Sequence, residues 1–338
     1  MKEKQKKQNV EKGVLRPPSE SKSLLIRVVR NCPWNKCKFC PAYKGEKFSI
    51  RTQEEVLEEI KILAMNPENH QYHSAFLQDG DALSMGVLEL EAVIHELKRC
   101  FPNLKRITAY SRSNMLLNRS GDDLKKLKNA GLDRIHVGLE SGCNEVLEFM
   151  NKGTTFQKQK EACLKVKEAG MEICCYVMPG LGGKVYSEKN AIDTGRLLKE
   201  IEPNHIRLRT CFVLEGTPLA DELAHQRFVP LDDEETVAEI KLLLKQLENT
   251  HTEILSDHRM NLLLELNGKL PEQFGDLMKI IDTFSCLEPD KKKQFIVGRR
   301  LNIIKKLEEL NWKEKIQEIE LRKMDYQEII PVPQTMLF

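Results

Sequence analysis

The amino-acid sequence predicts an α/β fold, a partial (β/α)6 TIM-like barrel with a C-terminal helical extension, and three observations predict it. Short runs rich in branched apolar residues alternate with amphipathic segments across residues 24–218. At this spacing the alternation implies right-handed crossovers and a parallel sheet with covered faces. The stretch holds 195 residues, which suits six units at the roughly 31 residues per unit of an eight-unit barrel, and is too short for eight. After Pro230 the strand signals stop and helical patterns take over. A doubly wound open sheet is the rival arrangement, since a sequence does not display closure.

The elements follow in order. Residues 24–30 (LLIRVVR) read as the first strand. Residues 52–64 place Val56, Leu57, Ile60 and Leu63 on one helical face, with Thr52 as N-cap and Glu55 three positions on as a capping box. Residues 74–78 form the second strand and Val87–Cys100 the second helix; Arg106–Ser111 form the third strand. The helix over 120–130 stops at Gly131, a residue suited to a left-handed C-terminal cap. Residues 134–139 make the fourth strand, 157–169 a helix, 172–178 the fifth strand, 188–201 a helix and 205–213 the sixth strand. Beyond Pro230, residues 232–248, 255–267, 273–281 and 290–310 are helical in pattern. The implied division is a polar mobile tail over 1–23, a barrel core over 24–225 and a helical region over 226–338 that covers the barrel's side or open mouth.

Composition narrows the function. With 53 Lys+Arg against 51 Asp+Glu, a net charge of +2, 41% hydrophobic and 31% charged residues, the chain reads as globular. No apolar run approaches the roughly 20 residues of a membrane span, so no membrane role is expected. Balanced charge argues against a large basic nucleic-acid face, though a local patch stays open. The N-terminus (MKEKQKKQ) carries no apolar targeting segment, so a cytoplasmic, reducing location is expected. Clustered cysteines in such a compartment point to metal or redox work rather than disulfides.

Of the ten cysteines, Cys32, Cys37 and Cys40 form a C-x4-C-x2-C run directly after the first strand. Three soft thiolates within nine residues can reach one inorganic centre without long-range folding. Pro33 and Pro41 keep the segment out of helix and strand. A zinc site would need a fourth close ligand, and the nearest later candidates, His70 and His73, lie across a helix. A plant-type ferredoxin shares the spacing but needs a further cysteine, and the next one is Cys100 at a helix end. Chance packing is the third alternative. The other seven cysteines carry no assigned role.

On these residues the chain resembles the radical SAM superfamily across residues 24–218. The family's usual spacing is C-x3-C-x2-C, and this chain has one more residue between Cys32 and Cys37. The resemblance implies that the three cysteines hold a 4Fe–4S cluster whose fourth iron is chelated by the amino and carboxylate groups of S-adenosyl-L-methionine (SAM). Phe39, just before the third cysteine, matches the family's aromatic position. Asp79-Gly80-Asp81 is similar to the family's Gly-Gly-Glu-Pro-like turn, with Gly80 allowing close backbone approach and Asp81 complementing the SAM ammonium; an ordinary Asp-Gly turn is the plainer alternative. Glu140, at the end of the fourth strand, resembles the residue that binds the SAM ribose, and Ser111 is a second ribose candidate. Lys152, twelve residues on, matches a basic residue that contacts the SAM carboxylate in the heme-biosynthetic branch, against the alternative of a solvated surface lysine. Gly180, in Met178-Pro179-Gly180-Leu181-Gly182-Gly183, resembles the turn below the adenine.

Arg207 and Arg209 share one face of the sixth strand by period-two alternation. Arg209 would hold an anionic cofactor or substrate group, or else be a salt-bridged barrel arginine. Gly216-Thr217-Pro218-Leu219 is similar to a segment of the coproporphyrinogen-oxidase-like and tRNA-modifying branches. The resemblance thus implies an enzyme that reductively cleaves SAM to start radical chemistry on an unidentified substrate, served by a one-electron donor such as flavodoxin or ferredoxin. A non-catalytic iron–sulfur protein and an RNA-modifying enzyme of the same superfamily are the alternatives. No catalytic side chain is singled out.

Overall fold

The structure, a computed structural model, describes residue 13 and residues 15–329, with side chains to residue 322. Its elements run β1 (Leu24–Ile26), β2 (Val29–Arg30), β3 (Ser49–Ile50), α1 (Gln53–Ala64), β4 (Ser74–Leu77), α2 (Val87–Cys100) and β5 (Arg106–Ser111). Then come α3 (Ser113–Asn118), α4 (Gly121–Ala130), β6 (Leu132–Glu140), α5 (Asn144–Phe149), α6 (Phe156–Glu168), β7 (Glu172–Val177), α7 (Gly183–Ile201) and β8 (His205–Leu208). The chain ends with α8 (Pro218–Ala224), α9 (Asp233–Lys245), β9 (Glu253–Leu255), β10 (Gly268–Lys269), α10 (Phe274–Ser285), α11 (Pro289–Arg300) and α12 (Lys313–Ile329). The main sheet has the order β1-β4-β5-β6-β7-β8-β9-β10. All its pairings are parallel except β9 with β10. It does not close, because β1 and β10 are its two edges. The expected α/β partial barrel is therefore what forms.

Local chemistry explains the elements. The capping box of α1 is present, with the Thr52 hydroxyl accepting from the Glu55 N–H at 3.2 Å and Glu55 Oε2 accepting from the Thr52 N–H at 3.0 Å. Gly131 ends α4 at a φ of 120°, which a side chain would resist. The outer face of the sheet (Ile26, Leu77, Ala109, Ile135, Val137, Ile173, Cys175, Ile206, Ile254) is buried with Val93, Leu97, Leu127, Val166, Leu198 and Leu244 of the covering helices. Full burial of each such side chain stabilises by about 1.5–3 kcal/mol.

The opposite face is polar. It carries Arg27, Gln78, Tyr110, His136, Cys174, Tyr176 and Arg207, all buried or half-buried. The rings of Phe76, Tyr110, His136 and Tyr176 pack along it, with Tyr110 edge to face against each of the other three. Cys174 and Cys175 thus face opposite sides, as adjacent strand residues must.

Several sequence expectations need correction. The first strand divides: Arg27 turns inward to Asp79 (Nε to Oδ2, 2.7 Å), and the chain then bends so that Val29–Arg30 pair antiparallel with Ser49–Ile50. The sixth strand ends at Leu208: single N–H groups beyond it still reach the β7 side, but Thr210 gives its N–H to the Asn261 side chain (2.9 Å). Strands do not stop after Pro230, since β9 and β10 extend the barrel sheet. They hold three and two residues, too few to show a period. Residues 255–267 are not a helix. Ser256 N–H donates to the Asn267 side chain (2.9 Å) and Ser256 Oγ to the Leu263 carbonyl (2.7 Å), so side chains compete for the backbone. The helix expected over 290–310 ends at Arg300, and Asn302 has a φ of +58°.

The mobile tail is also revised for its described part. A 3-10 turn at Pro18–Glu20 buries Glu20 completely, where it accepts from Ser23 Oγ (2.5 Å), meets His136 Nε2 (3.2 Å) and lies 3.4 Å from Arg106. The rest of that expectation, over residues 1–12 and 14, falls outside the described residues. Among the described residues no helix is long and apolar enough to cross a membrane.

Candidate functional site

The loop that follows β2 carries Cys32, Cys37 and Cys40 as free, half-buried thiols. Between the first two the chain reverses at Asn35, whose φ is +47° and whose side chain donates to the Tyr43 carbonyl at 2.5 Å. Lys44 Nζ reaches back to the carbonyls of Asn35 (3.1 Å) and Cys37 (3.0 Å). The loop is then tied to the segments around it. Lys38 N–H donates to the Met150 carbonyl (2.9 Å), its carbonyl accepts from Leu219 N–H (3.1 Å), and Trp34 Nε1 donates to the Asn151 carbonyl (2.7 Å). Arg112 lies 5.1 Å over the Trp34 ring.

Burial pushes the thiols of Cys37 and Cys40 up, with Lys152 working against that at both. Cys37 feels Cys40, and Cys40 feels Cys32, so the three sulfurs belong to one electrostatic group. Gly80 lies against this loop: a Cβ there would meet Cys32 Cβ at 2.7 Å and Cys32 Cα at 2.8 Å. Its N–H donates to the Asn31 carbonyl at 3.2 Å. The neighbouring Asp79 has a φ of 75° and accepts from Arg27 and from the Tyr43 hydroxyl (3.3 Å).

Glu140 and Lys152 stand beside the thiols. Glu140 follows a bulge at the end of β6, has a φ of 66°, and pairs with Lys152 Nζ at 3.0 Å. Lys152 is buried and lies 5.9 Å over the Phe39 ring, so it is not a solvated surface lysine. Burial lowers its pKa, but Glu140 and Cys37 outweigh that and the net shift is upward.

Asp81 and Ser111 come together, though on each other. Ser111 Oγ donates to Asp81 Oδ1 at 2.8 Å, the Arg112 N–H donates to Oδ2 at 3.3 Å, and burial raises Asp81 to about 7. Gly180 takes a φ of 85° and donates its N–H to Glu239 Oε1 at 2.8 Å. Arg209, half-buried one residue past β8, gives its N–H to the Val177 carbonyl at 3.0 Å, and its charge is felt at Tyr110, Cys211 and His258.

Sequence reasoning missed Glu239. This buried carboxylate on α9 also accepts from Ser187 Oγ (2.6 Å) and Asn190 Nδ2 (2.9 Å), and Asn190 Oδ1 in turn accepts from Ser141 Oγ (2.5 Å). One chain of bonds thus joins the turns after β6 and β7 to a helix of the C-terminal region. No local pattern announces it, because a glutamate within an amphipathic helix looks like any solvated one.

A cavity of about 300 Å³ lined by Asn144, Phe156, Asp193 and Arg196 lies behind the β6 turn, away from the loop cysteines. Cys143, Glu145 and Asp193 offer ligand atoms within 4.8 Å of one another there, but the Lys189 ammonium, 2.8 Å from Asp193 and 3.4 Å from Glu145, already supplies the positive charge.

The Radical SAM superfamily profile matches residues 26–195. The chain is 21% identical over 243 residues to a tRNA uridine(34) acetyltransferase of Methanocaldococcus jannaschii, covering 61% of this chain and 45% of that protein. It is 28% identical over 205 residues to a biotin synthase of Clostridium perfringens, covering 60% of each. This chain therefore spans about half of these curated relatives. The structure of the cobalamin-dependent S-adenosylmethionine radical enzyme OxsB, with aqua-cobalamin and S-adenosylmethionine bound, superposes with a TM-score of 0.51 at 15% identity, over 91% of this chain and 56% of that one. That likeness concerns the fold. With a profile match over half its length, the chain belongs to the radical SAM superfamily of enzymes.

Proposed function

We propose that Cys32, Cys37 and Cys40 hold a 4Fe–4S cluster and that the barrel mouth beside them binds SAM. The observation that supports this most is the set of three free thiols on one short loop, braced by Gly80 and faced by the Lys152–Glu140 pair. The donor set fits the group. Thiolates are the ligands of iron–sulfur clusters, and three of them leave one iron open. A single zinc ion would draw its sulfurs to about 3.8 Å from one another, given a Zn–S distance near 2.3 Å. Residues 31–50 supply three cysteines and neither a fourth cysteine nor a histidine, so a tetrahedral zinc set is not completed on this loop.

When bound, the cluster and SAM supply one-electron cleavage to methionine and a 5′-deoxyadenosyl radical that abstracts hydrogen from a substrate. The chain's own residues then orient and shield. Lys152, held by Glu140, presents an ammonium next to Cys37 for the SAM carboxylate. Phe39 closes the apolar side of that ammonium. Glu140 keeps its second oxygen for the ribose hydroxyls. Gly80 brings backbone close to the cluster loop, and Gly180, fixed by Glu239, offers a flat turn to the base. Asp81 and Ser111 support this wall from behind by bonding each other. A one-electron donor such as flavodoxin or ferredoxin would serve the exposed side of the loop.

Anaerobic reconstitution tests the reading. About four irons and four sulfides per chain, together with 5′-deoxyadenosine formed from SAM under reduction, support it. Folded protein that retains neither iron nor SAM cleavage contradicts it. The tRNA named for the Methanocaldococcus jannaschii relative favours one further question, whether the substrate is RNA. Salt-dependent tRNA binding would support that, and a flat binding curve at low salt removes it.

A further inference from the structure

The inner wall of the barrel carries several cations, and nearly all of them are matched. Arg27 is bonded to Asp79, Arg134 to Glu172 at 2.6 Å, Lys152 to Glu140, and Arg207 to Asp257. Arg209 differs. It lies two residues after Arg207, so it shares the inner face, and its N–H continues the ladder to the Val177 carbonyl at 3.0 Å. Among the described residues, its half-buried guanidinium has no hydrogen bond and no ion pair.

Three titratable groups that feel Arg209, namely Tyr110, Cys211 and His258, are held neutral by burial. Burial raises Tyr110, and it raises Cys211 to about 12. Burial, followed by Arg209 and Arg259, drives His258 down to about 4. The nearby carboxylates are committed: Glu140 to Lys152, Asp257 to Arg207, and Glu239 to three donors. A positive charge on a partly dry wall without a counter-ion is unfavourable, unless an anion from outside completes it. Gln78, at the level of Tyr110 one residue beyond the Leu77–Ala109 pair, also leaves its buried amide oxygen without a partner. The wall therefore holds unspent hydrogen-bonding capacity of both signs.

The anion is not the one expected at the cysteines. The cation beside Cys37 is Lys152, on the segment after β6, whereas Arg209 follows β8, two strands further along the sheet. A single guanidinium fork matches a planar monoanion through two parallel N–H···O bonds. We propose that Arg209 receives a carboxylate group of the substrate and holds it against the wall formed by Tyr110 and His258. The inference rests on the proposed function only for what else occupies the mouth.

Arginine modification by phenylglyoxal, mapped by peptide mass spectrometry on the full chain, tests it without turnover. Arg209 should react about ten-fold faster than ion-paired Arg207, and hexanoate should slow Arg209 several-fold at an ionic strength where inorganic phosphate and SAM slow it less than about two-fold. The D257N variant should raise the reactivity of Arg207, which confirms that pairing sets the rates. Equal reactivity of the two arginines, or no shielding by hexanoate, overturns the proposal. So does shielding by phosphate equal to that by hexanoate, or shielding by SAM alone. Iron content and SAM cleavage are measured separately, so failure of the cluster reading is distinguishable from failure of this one.

Discussion

At Gly80 the turn after β4 and the cysteine loop approach until no side chain fits between them. A methyl group there would stand 2.7 Å from Cys32 Cβ, and since the contact includes backbone, the loop must move. Gly80→Ala should therefore lower iron per chain after reconstitution by at least about half while leaving the helical signal intact, as a displacement confined to one loop would. Unchanged iron would mean that this approach does not set the loop path. Asp81 and His258 give a second prediction at the same scale. Burial raises Asp81 to about 7 and lowers His258 to about 4. Asp81 binds more proton folded than unfolded, so its contribution to stability falls as pH rises from about 3.9 to 7. His258 binds less proton folded, so its contribution is lost as pH falls from about 6.5 to 4. The two slopes oppose each other between pH 4 and 6.5. Denaturation against pH should show Asp81→Asn with a more positive slope than wild type, and His258→Gln with a more negative one, each by at most about 1.4 kcal/mol per pH unit. Spacing singled out the three cysteines, and the resemblance to the radical SAM superfamily singled out Glu140 and Lys152, which the fold brings together as a pair. The mutual bond of Asp81 and Ser111 was not, because a side chain's partner 30 residues away leaves no local pattern.

Between elements, single side chains do the joining. Glu239 on α9 fastens the turn after β7 and, through Asn190 and Ser141, the turn after β6. Glu239→Ala leaves three donors without an acceptor and should cost about 1–3 kcal/mol in chemical denaturation. It should also weaken SAM binding to the reconstituted protein more than it lowers iron content, with Glu239→Gln recovering part of both. A loss of iron as large as the loss of SAM affinity would show that the network holds the fold as a whole and not the two turns. Gly142 packs equally tightly, since a Cβ there would lie 2.5 Å from the Asp193 carbonyl oxygen on α7. Gly142→Ala should destabilise by about 1–3 kcal/mol. Capping signals made α1 and α4 readable to within a residue or so. The short strands β9 and β10 were not readable, because their pairing is set by neighbours in the sheet rather than by their own few residues. The apolar stretch Leu262, Leu263 and Leu266 mimics a helical face but is buried as a loop, pinned by Asn261 and Ser256.

Across the whole molecule, length and alternation pointed to a partial parallel barrel of six units, with a doubly wound open sheet as the rival arrangement. They did not show that the C-terminal region completes the sheet. Nor did they show that Glu20 seals the inner wall from the N-terminal side through His136. The arrangement concentrates chemistry at one end: three thiols, the Lys152–Glu140 pair and the unmatched Arg209 face the mouth, while aromatic rings and Glu20 fill the rest of the interior. The most direct test of the central claim is the electron paramagnetic resonance spectrum of the anaerobically reconstituted, reduced protein before and after SAM, with 5′-deoxyadenosine quantified in the same sample. The account predicts a cluster signal that changes when SAM is added, accompanied by 5′-deoxyadenosine, with signal and product both lost in Cys37→Ala. A cluster whose signal is indifferent to SAM and which yields no 5′-deoxyadenosine would contradict it.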